Sequence, residues 1–469
     1  MKTKTVYCLS GLLLGLLTAC QPSDSNLKNQ NVALQLQQKA LNSTLGYDLV
    51  ESLTVEVGPR LPGTDKDIQA VNWAVNKLQS LGFDKVYREP VQVPVWHRGQ
   101  AHAAVTSPYT QSLVITALGG SVATPEEGIT ADIVRFNSLA DLKQAAPESV
   151  EGKIVFIDHK TERHQDGHGY GKTAPGRSQG AAAAAQKGAV AIVIRSIGTD
   201  SDRLAHTGMM RYQEGIKPIP AAAMSNPDAD LINNMLKRSD KVTLQLFLSP
   251  ESQGTATSYN VIAEVTGSSK PEEIVLIGAH LDSWDEGTGA IDDGAGVGIV
   301  TAAAKLIQDL PQKPARTIRV VLYAAEEIGL VGGKAYAKAH QHELHNHYIA
   351  AESDFGAGRI YQLDWNVNEA AVNALQQLTV EMADIGVMPG NNEASGGPDV
   401  SMLPALGVPV ASLRQDGRDY FDWHHTPNDT LDKIDPAALA QNVAAYAQFA
   451  WLMAQSEIIL RPVAEKQSQ

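Results

Sequence analysis

The spacing of hydrophobic residues changes along the chain, and each change predicts a different kind of element. Apolar residues three and four positions apart predict helices over 34–56 and 67–81. Gly82 would end the second helix, and residues 85–95 have the composition of a strand. These elements would open a larger domain whose main part follows later in the chain.

Between about residues 105 and 255 the predicted strands become short and fully apolar. We expect strands at 153–158, 189–195, 219–224 and 241–248, and helices at 179–187 and 227–238. No set of side chains with an obvious catalytic pattern stands out in this segment. It is therefore predicted to be an α+β lobe inserted into the main domain.

From residue 259 onward, apolar strands and amphipathic helices alternate. The strands are expected at 261–265, 274–278, 317–324, 348–351 and 408–413, and the helices at 297–310, 370–385 and 436–456. Nearly continuous apolar strands are typical of a parallel sheet covered on both faces. The pattern predicts an α/β fold with a mostly parallel sheet flanked by helices, made from residues 34–104 and 256–469.

The N-terminal residues have the pattern of an export signal. Lys2 and Lys4 precede an apolar stretch at 9–17 that is too short to cross a membrane. The stretch ends in Leu-Thr-Ala-Cys20, which resembles a bacterial lipoprotein signal. The resemblance implies that residues 1–20 form the signal, that Cys20 carries the lipid, and that polar residues 21–33 are a tether.

The same resemblance predicts where the protein is located. It would be exported and attached to the bacterial cell envelope only through its lipidated N-terminus. Because Gln21 rather than aspartate follows the cysteine, the outer membrane is expected, facing the periplasm or the exterior. Cys8, the other cysteine, lies within the signal, so the mature chain cannot form an internal disulfide.

Length and charge exclude some classes of function. The chain has 469 residues, which is more than one ordinary domain core needs. It has 52 acidic and 38 basic side chains and a net charge of −14. Nucleic-acid binding requires a basic surface, so a nucleic-acid partner is not expected.

Histidines and acids follow the predicted strands of the main domain. They are His280, Glu326-Glu327, Asp354 and His425, with Asp292-Asp293 in a glycine-rich turn before a helix. Ligands of an open α/β sheet lie beyond the carboxyl ends of its strands. These side chains are therefore expected to meet at one rim of the sheet.

The residue types favour a two-metal hydrolytic site. Zinc binds imidazole nitrogen and carboxylate oxygen, and a catalytic site keeps one position open for water. Two histidines and three carboxylates suffice for two ions if one carboxylate bridges them, at a separation of roughly 3.5–4 Å. A hydroxide between the ions would attack the scissile carbonyl. Of the adjacent Glu326 and Glu327, one could bind metal while the other acts as general base.

Five short motifs occur in one order along the chain. They are residues 278–285 (GAHLDSWD), 289–296 (GAIDDGAG), 325–329 (AEEIG), 352–354 (ESD) and 424–430 (HHTPNDT). The set closely resembles the co-catalytic zinc exopeptidases, which include bacterial leucyl aminopeptidases and plasma glutamate carboxypeptidase, also called carboxypeptidase Q. The segment at 58–60 (GPR) and the stretch at 206–208 (HTG) are similar to the carboxypeptidase Q branch.

The resemblance implies a set of metal ligands for two Zn²⁺ ions per chain. His280 and Asp354 would bind one ion, and Glu327 and His425 the other. Asp292 would bridge the two ions. His424 adjoins His425 and is an alternative ligand, although the motif favours His425.

The resemblance also implies roles around the metals. Glu326 would take a proton from the nucleophilic water and deliver it to the leaving amine. Asp282 would orient His280, and Asp293 would follow a strained peptide beside the bridging ligand. The inserted lobe would be a protease-associated-like domain that covers the cleft and limits substrate length. A homodimer is also implied.

The predicted function is zinc-dependent hydrolysis of dipeptides or short peptides. The motifs do not separate an aminopeptidase, a carboxypeptidase and a dipeptidase, although the overall resemblance favours a dipeptidase. Two alternatives stay open: a single-zinc acyl transferase of the same fold, similar to glutaminyl cyclases, and a non-catalytic binding protein. Weaker candidates for substrate contact are Arg177, His206, Tyr212, Asp399, Arg414 and Tyr420, and the histidines at 340–347 are expected on a solvated surface.

Overall fold

The computed structural model describes residues 24–463, and two eight-stranded sheets form its framework. Cys20 and the predicted signal lie outside the described residues. Within 24–463, no helix combines the length and the apolar character that a bilayer span requires. The predicted α/β class is confirmed.

Sixteen strands are found in the described part of the chain. They are β1 (Lys85–His97), β2 (Ala101–Ser107), β3 (Gln111–Leu113), β4 (Ile115–Ala117), β5 (Ile129–Phe136), β6 (Ile154–Ile157), β7 (Ala191–Arg195), β8 (Ala221–Met224), β9 (Thr243–Leu248), β10 (Glu251–Val265), β11 (Lys270–His280), β12 (Arg316–Tyr323), β13 (His347–Glu352), β14 (Ile360–Asn366), β15 (Met388–Pro389) and β16 (Val410–Gln415).

Eleven α-helices accompany these strands among residues 24–463. They are α1 (Asp24–Leu41), α2 (Leu45–Glu56), α3 (Asp65–Ser80), α4 (Leu139–Gln144), α5 (His168–Ala185), α6 (Asn226–Leu236), α7 (Ala295–Gln308), α8 (Val331–Ala339), α9 (Glu369–Thr379), α10 (Tyr420–Trp423) and α11 (Pro436–Gln455).

The first sheet has the order β1-β10-β12-β11-β13-β16-β14-β15. Strands β12, β11, β13 and β16 at its centre are parallel, β1 and β10 run antiparallel to their neighbours, and β14 is antiparallel to β16 but parallel to β15. The centre therefore matches the predicted parallel sheet, and the flanks make the sheet mixed. Helices α7 and α11 pack on one face, and nearly all of α11 is buried.

The second sheet, built from strands between Ala101 and Leu248, has the order β3-β2-β9-β5-β6-β7-β8-β4. We call residues 101–248 the inserted lobe and the remainder of the described chain the catalytic domain. Strands β1 and β10 form one antiparallel ladder, from Lys85 opposite Glu264 to His97 opposite Glu251, through which the chain leaves and re-enters the catalytic domain. The expected limits at 105 and 255 fall inside β2 and β10.

Helix α1 differs from the predicted tether. The helix starts at Asp24, so residues 24–33 are helical, and Ala33, Leu36 and Ala40 are buried in the core. The main-chain oxygen of Asn29 accepts a hydrogen bond from the Trp451 indole of α11, at 3.2 Å. The polar composition of 21–33 hid this element, because much of the helix faces solvent and its packing partner lies more than 400 residues away.

The carboxyl ends of the parallel strands meet at one rim of the first sheet. His280 is the last residue of β11, and Asp354 follows β13 by two positions. Glu326 and Glu327 follow β12, and the turn before α7 carries Asp292. The loop after β16 leads through α10 to His425. The fold thus places every predicted ligand at the same rim.

Candidate metal centre

The five predicted ligands come together around Asp292. One oxygen of Asp292 lies 3.1 Å from Nε2 of His280, whose Nε2 is also 3.7 Å from Asp354. The other oxygen lies 3.3 Å from Nε2 of His425, whose Nε2 is 2.9 Å from Glu327. Asp292 therefore stands between two halves of one cluster.

The donor set fits divalent metal ions. Ligand atoms of His280, Asp292 and Asp354 all lie within 4.8 Å of one another, close enough to hold one ion. Oε1 of Glu327 is buried and has no hydrogen-bond partner in the part of the chain that the structure describes. A buried carboxylate oxygen without a partner is costly unless a cation occupies its vicinity. Imidazole and carboxylate donors are those that zinc takes.

His280 contacts Asp282 mainly through the main chain. Its Nδ1–H donates to the Asp282 carbonyl at 3.0 Å, while the Asp282 carboxylate lies 3.5 Å away. That carboxylate instead accepts hydrogen bonds from the backbone N–H groups of Glu326, at 3.0 Å, and Glu327, at 3.3 Å. Asp282 thus fixes His280 and the two glutamates together.

His425 is oriented by a carbonyl of the inserted lobe. Its Nδ1–H donates to the main-chain oxygen of Thr207 at 3.1 Å, which leaves Nε2 facing Glu327 and Asp292. Although burial opposes a charge on this ring, the two carboxylates raise the pKa of His425 to about 9. The ring thus lies in a field that also favours a bound cation.

His424 lies close enough to compete with His425 as a ligand. Its ring stacks on that of His425 at 3.5 Å, and its Nε2 is 3.4 Å from Asp292. Asp292, His424 and His425 could themselves hold a metal ion. Burial and the neighbouring His425 hold the pKa of His424 well below its usual range. The geometry leaves both histidines as candidates.

Glu326 lines the cleft next to these ligands. Burial, together with the charges of Asp354 and Glu327, raises its pKa well above the usual range of a carboxyl group. The preceding residue, Ala325, has a φ of 56°, in the left-handed region that residues other than glycine seldom adopt. Both glutamates that follow this turn line the cleft, and Glu327 lies 2.9 Å from Nε2 of His425.

Two residues without a predicted role brace the ligand turn. Asp429 accepts hydrogen bonds from the N–H groups of Ile291, at 2.6 Å, and Asp292, at 3.2 Å, and burial raises its pKa to about 7. The buried Arg60 donates to the carbonyls of Thr288, at 2.7 Å, and Gly289, at 2.8 Å. Both residues lie in motifs noted in the sequence, but the motifs do not show which backbone groups they hold.

Asp293 also has structural contacts. Its carboxylate accepts hydrogen bonds from the N–H groups of His280, at 3.2 Å, and Gly296, at 3.0 Å. The peptide bond between Asp292 and Asp293 is cis. Asp293 therefore joins the end of β11 to the start of α7.

The cleft above the cluster has a volume of about 410 Å³ and is lined from both parts of the molecule. The inserted lobe contributes Tyr170, Arg177 and Arg211, and the catalytic domain contributes Phe355 and Tyr420 among others. Of the weaker candidates, Arg177 and Tyr420 thus line the cleft.

The other weaker candidates are not among the residues that line this cleft. His206 donates to the His424 carbonyl, Tyr212 to that of Ile219, and Arg414 pairs with Asp364. Asp399 is buried and accepts a hydrogen bond from Gly333. The expectation for 340–347 was wrong in part, because His347 is fully buried and His340 lies between two glutamates.

Comparison with known proteins agrees with this geometry. Residues 260–450 match the model of peptidase family M28. Human carboxypeptidase Q is 35% identical over 429 residues, covering 92% of this chain and 89% of that protein. The crystal structure of a peptidase M28 precursor from Shewanella amazonensis SB2B is 70% identical, with a TM-score of 0.93, and covers 94% of this chain and 100% of that one.

A third relative, a probable lipoprotein aminopeptidase (LpqL) of Mycobacterium tuberculosis, is 29% identical over 290 residues, covering 60% of this chain and 51% of that protein. The resemblance seen in the short motifs thus extends over nearly the whole described fold. The chain belongs to peptidase family M28, the co-catalytic zinc exopeptidases, and is a metallo-exopeptidase.

Proposed function

We propose that the protein hydrolyses dipeptides or short peptides with two zinc ions and Glu326 as general base. The observation that carries this proposal is the position of Asp292, whose two oxygens face two separate ligand groups at the floor of one cleft. A single-metal site would need only one of these groups. The intact second group therefore favours hydrolysis over the single-zinc acyl transfer considered from the sequence.

His280 and Asp354 would hold one zinc ion, and Glu327 and His425 the other, with Asp292 shared. Zinc in such a site lowers the pKa of water and polarises the scissile carbonyl. The main-chain carbonyls that accept from the Nδ1–H groups of both histidines keep each Nε2 free for a metal.

Glu326 would move the proton. Its side chain lines the cleft, and its backbone is fixed by the Asp282 carboxylate at 3.0 Å. A carboxylate held beside the ligands without a metal to bind can accept a proton from the attacking water and pass it to the leaving amine. The complete ligand set together with this base argues against a purely binding role.

The inserted lobe supports a preference for short substrates. Arg177 and Arg211 of the lobe line the cleft over the ligands, and Tyr170 accepts a hydrogen bond from Arg177 at 2.6 Å. Nε of Arg177 is buried and unpaired among the described residues. Guanidinium groups bind carboxylates well, so a peptide with a free carboxyl group near the scissile bond suits this wall of the cleft.

We also propose that the protein is exported and lipid-anchored through Cys20. The signal-like sequence at 1–20 supports this, as does the similarity to a protein named as a probable lipoprotein aminopeptidase. A Cys20→Ser variant should leave the membrane fraction. Retention of that variant in the membrane fraction would contradict the anchor.

The experiment for the activity is turnover of a dipeptide panel by the zinc-loaded protein beside Glu326→Gln. The variant should keep two zinc ions per chain and lose about 10²–10⁴-fold in rate, since general-base catalysis has that magnitude. Full activity of the variant, or one zinc per chain in the wild type, would contradict the proposal. N-acetylated and C-amidated dipeptides in the same panel show which free end the cleft requires.

A further inference from the structure

We infer that His206 and Thr207 of the inserted lobe are positioning residues for the metal ligand His425. The inference rests on the ligand role proposed above for His425. It assigns part of the zinc site to a lobe that contributes no ligand itself.

Three hydrogen bonds join the two pairs of residues, and all four residues are buried. The Thr207 N–H donates to the His425 carbonyl at 3.0 Å, and the His425 Nδ1–H donates back to the Thr207 carbonyl at 3.1 Å. Nδ1–H of His206 donates to the His424 carbonyl at 2.8 Å. The lobe thus holds both the backbone and the ring of the ligand loop.

The loop needs this support because His425 has a φ of 63°. Holding a non-glycine residue in a sparsely populated backbone region is unfavourable and requires surrounding contacts. The catalytic domain supplies bonds on the N–H side of the loop, from His424 to Tyr420 and from Thr426 to Trp423. The carbonyls of His424 and His425 are both bonded to the lobe.

The two lobe residues are themselves fixed. Nε2 of His206 lies 2.8 Å from the Asp200 carboxylate, and its backbone N–H donates to Ser196 at 2.8 Å. Oγ1 of Thr207 donates to the Ala117 carbonyl at 3.0 Å and accepts from Arg98 at 2.9 Å. The acceptor offered to His425 is therefore a rigid one.

The consequence for metal binding follows from the ring of His425. A partner for Nδ1–H sets the tautomer and the angle of a ligating imidazole, and loss of such a partner typically lowers metal affinity about 10–100-fold. Removing the His206 donor would release the His424 carbonyl and let the strained turn relax, which shifts the Thr207 acceptor relative to the ring. Only the zinc held by His425 and Glu327 should weaken.

A competing explanation is that any contact between the lobe and this loop supports the fold in general. Arg163 provides the matched control, because it bonds the same loop a few residues earlier. It donates to Asp422 at 2.6 Å, to Asp419 at 2.8 Å and to the Arg418 carbonyl at 2.6 Å. None of these bonds touches the His424–His425 peptide.

The test is a Co²⁺ titration of metal-free protein, followed by visible absorption and by competition with a chelator. His206→Ala should lower the affinity of one site about 10–100-fold and change the absorption of that site, while the other site is unchanged. In His206→Asn, the amide nitrogen is bonded to Cγ, as Nδ1 is in histidine. This variant should therefore retain most of the affinity that the alanine variant loses. In His206→Gln, the amide nitrogen takes the position of Nε2 rather than Nδ1, so this variant should bind metal as the alanine variant does. It provides the same test if the alanine variant does not fold. Arg163→Ala should bind both ions as the wild type does.

Two results would overturn the inference: wild-type affinity at both sites in His206→Ala or His206→Gln, or equal weakening in Arg163→Ala. His425→Ala, included in the same titration, separates the inference from the proposal on which it rests. Loss of one ion in His425→Ala with normal binding in His206→Gln contradicts the inference alone. Retention of both ions in His425→Ala contradicts the proposed ligand set.

Discussion

Two regions of the molecule concentrate histidines and acids, and only one of them has the features of a metal site. We call the other the rear cluster; it consists of Arg319, Glu89, Glu264, Glu343, His340 and His347. All of its members except His347 line a pocket of about 470 Å³, similar in size to the 410 Å³ cleft. Pocket size therefore does not distinguish the two regions.

Charge compensation does distinguish them. In the rear cluster, Arg319 lies 2.7 Å from Glu264 and 3.1 Å from Glu343, and Nε2 of His340 lies 2.9 Å from Glu89. Arg319 is thus a permanently charged partner for both Glu264 and Glu343. At the metal centre, Asp292 faces only histidine rings, and a buried oxygen of Glu327 has no hydrogen-bond partner in residues 24–463. The site that requires metal is therefore marked by buried carboxylates that have histidine partners but no arginine or lysine partner among the described residues.

The largest effect that would test this comparison is expected from Asp292→Asn. Loss of the shared carboxylate should abolish binding of both zinc ions and with it turnover, because this residue faces both ligand groups. The fall in affinity should exceed the 10–100-fold that changes around a ligand typically produce. Zinc per chain is measured by elemental analysis after dialysis. Glu264→Gln in the rear cluster is the control and should retain two zinc ions; an equal loss there would refute the distinction.

The next effect concerns stability. Arg319→Met should lower the free energy of unfolding by about 3–5 kcal/mol, because it leaves the buried Glu264 with only the exposed Lys85 as a partner. Zinc content should not change. Urea unfolding measures the loss, and the double variant with Glu264→Gln should recover part of it. A loss below about 1 kcal/mol would show that the rear cluster is not held together by this charge pair.

The smallest effect is a pH dependence in the rear cluster. Burial, together with the charge of Arg319, lowers the pKa of His347 to about 4. Below its unfolded pKa of about 6.5 the unfolded chain binds a proton that the native ring does not. As the pH falls from 6.5 to 4, protonation of His347 in the unfolded chain should therefore lower the free energy of unfolding by roughly 3 kcal/mol in total.

His347→Gln should remove this slope, and urea unfolding of metal-free protein at each pH avoids any contribution from zinc release. Identical slopes in the wild type and in the variant would mean that the ring titrates normally. At the metal centre, the pH dependence of unfolding would not report on one side chain, because protonation there also displaces metal.

Many strands of the catalytic domain could be predicted because each is a short, nearly continuous run of apolar residues. The strands ending at His280 and before Glu327 and Asp354 were placed from hydrophobic runs, and the motifs located the ligand residues. Strand β14 was missed because its sequence mixes polar and apolar residues.

The supports of the site were the least predictable part. Thr207 holds His425 with a main-chain carbonyl, which every residue type possesses and which leaves no mark in the sequence. Arg60 likewise acts on carbonyls more than 200 residues away. His347 is buried and lies 2.8 Å from the Tyr336 hydroxyl, a contact that hydrophobic spacing does not reveal.

The ladder between β1 and β10 has a consequence for how the inserted lobe could be gained or lost in evolution. Because His97 pairs with Glu251, the two ends of the inserted lobe are neighbours, and a short turn between them would close the first sheet without the lobe. Gain or loss of the lobe is thus a simple topological event. A chain that lost it would keep all five ligand residues but would have to supply a new acceptor for the Nδ1–H of His425. If the lobe arose by insertion into an ancestral catalytic domain, the lobe and the loop that carries His425 are expected to have changed together in evolution.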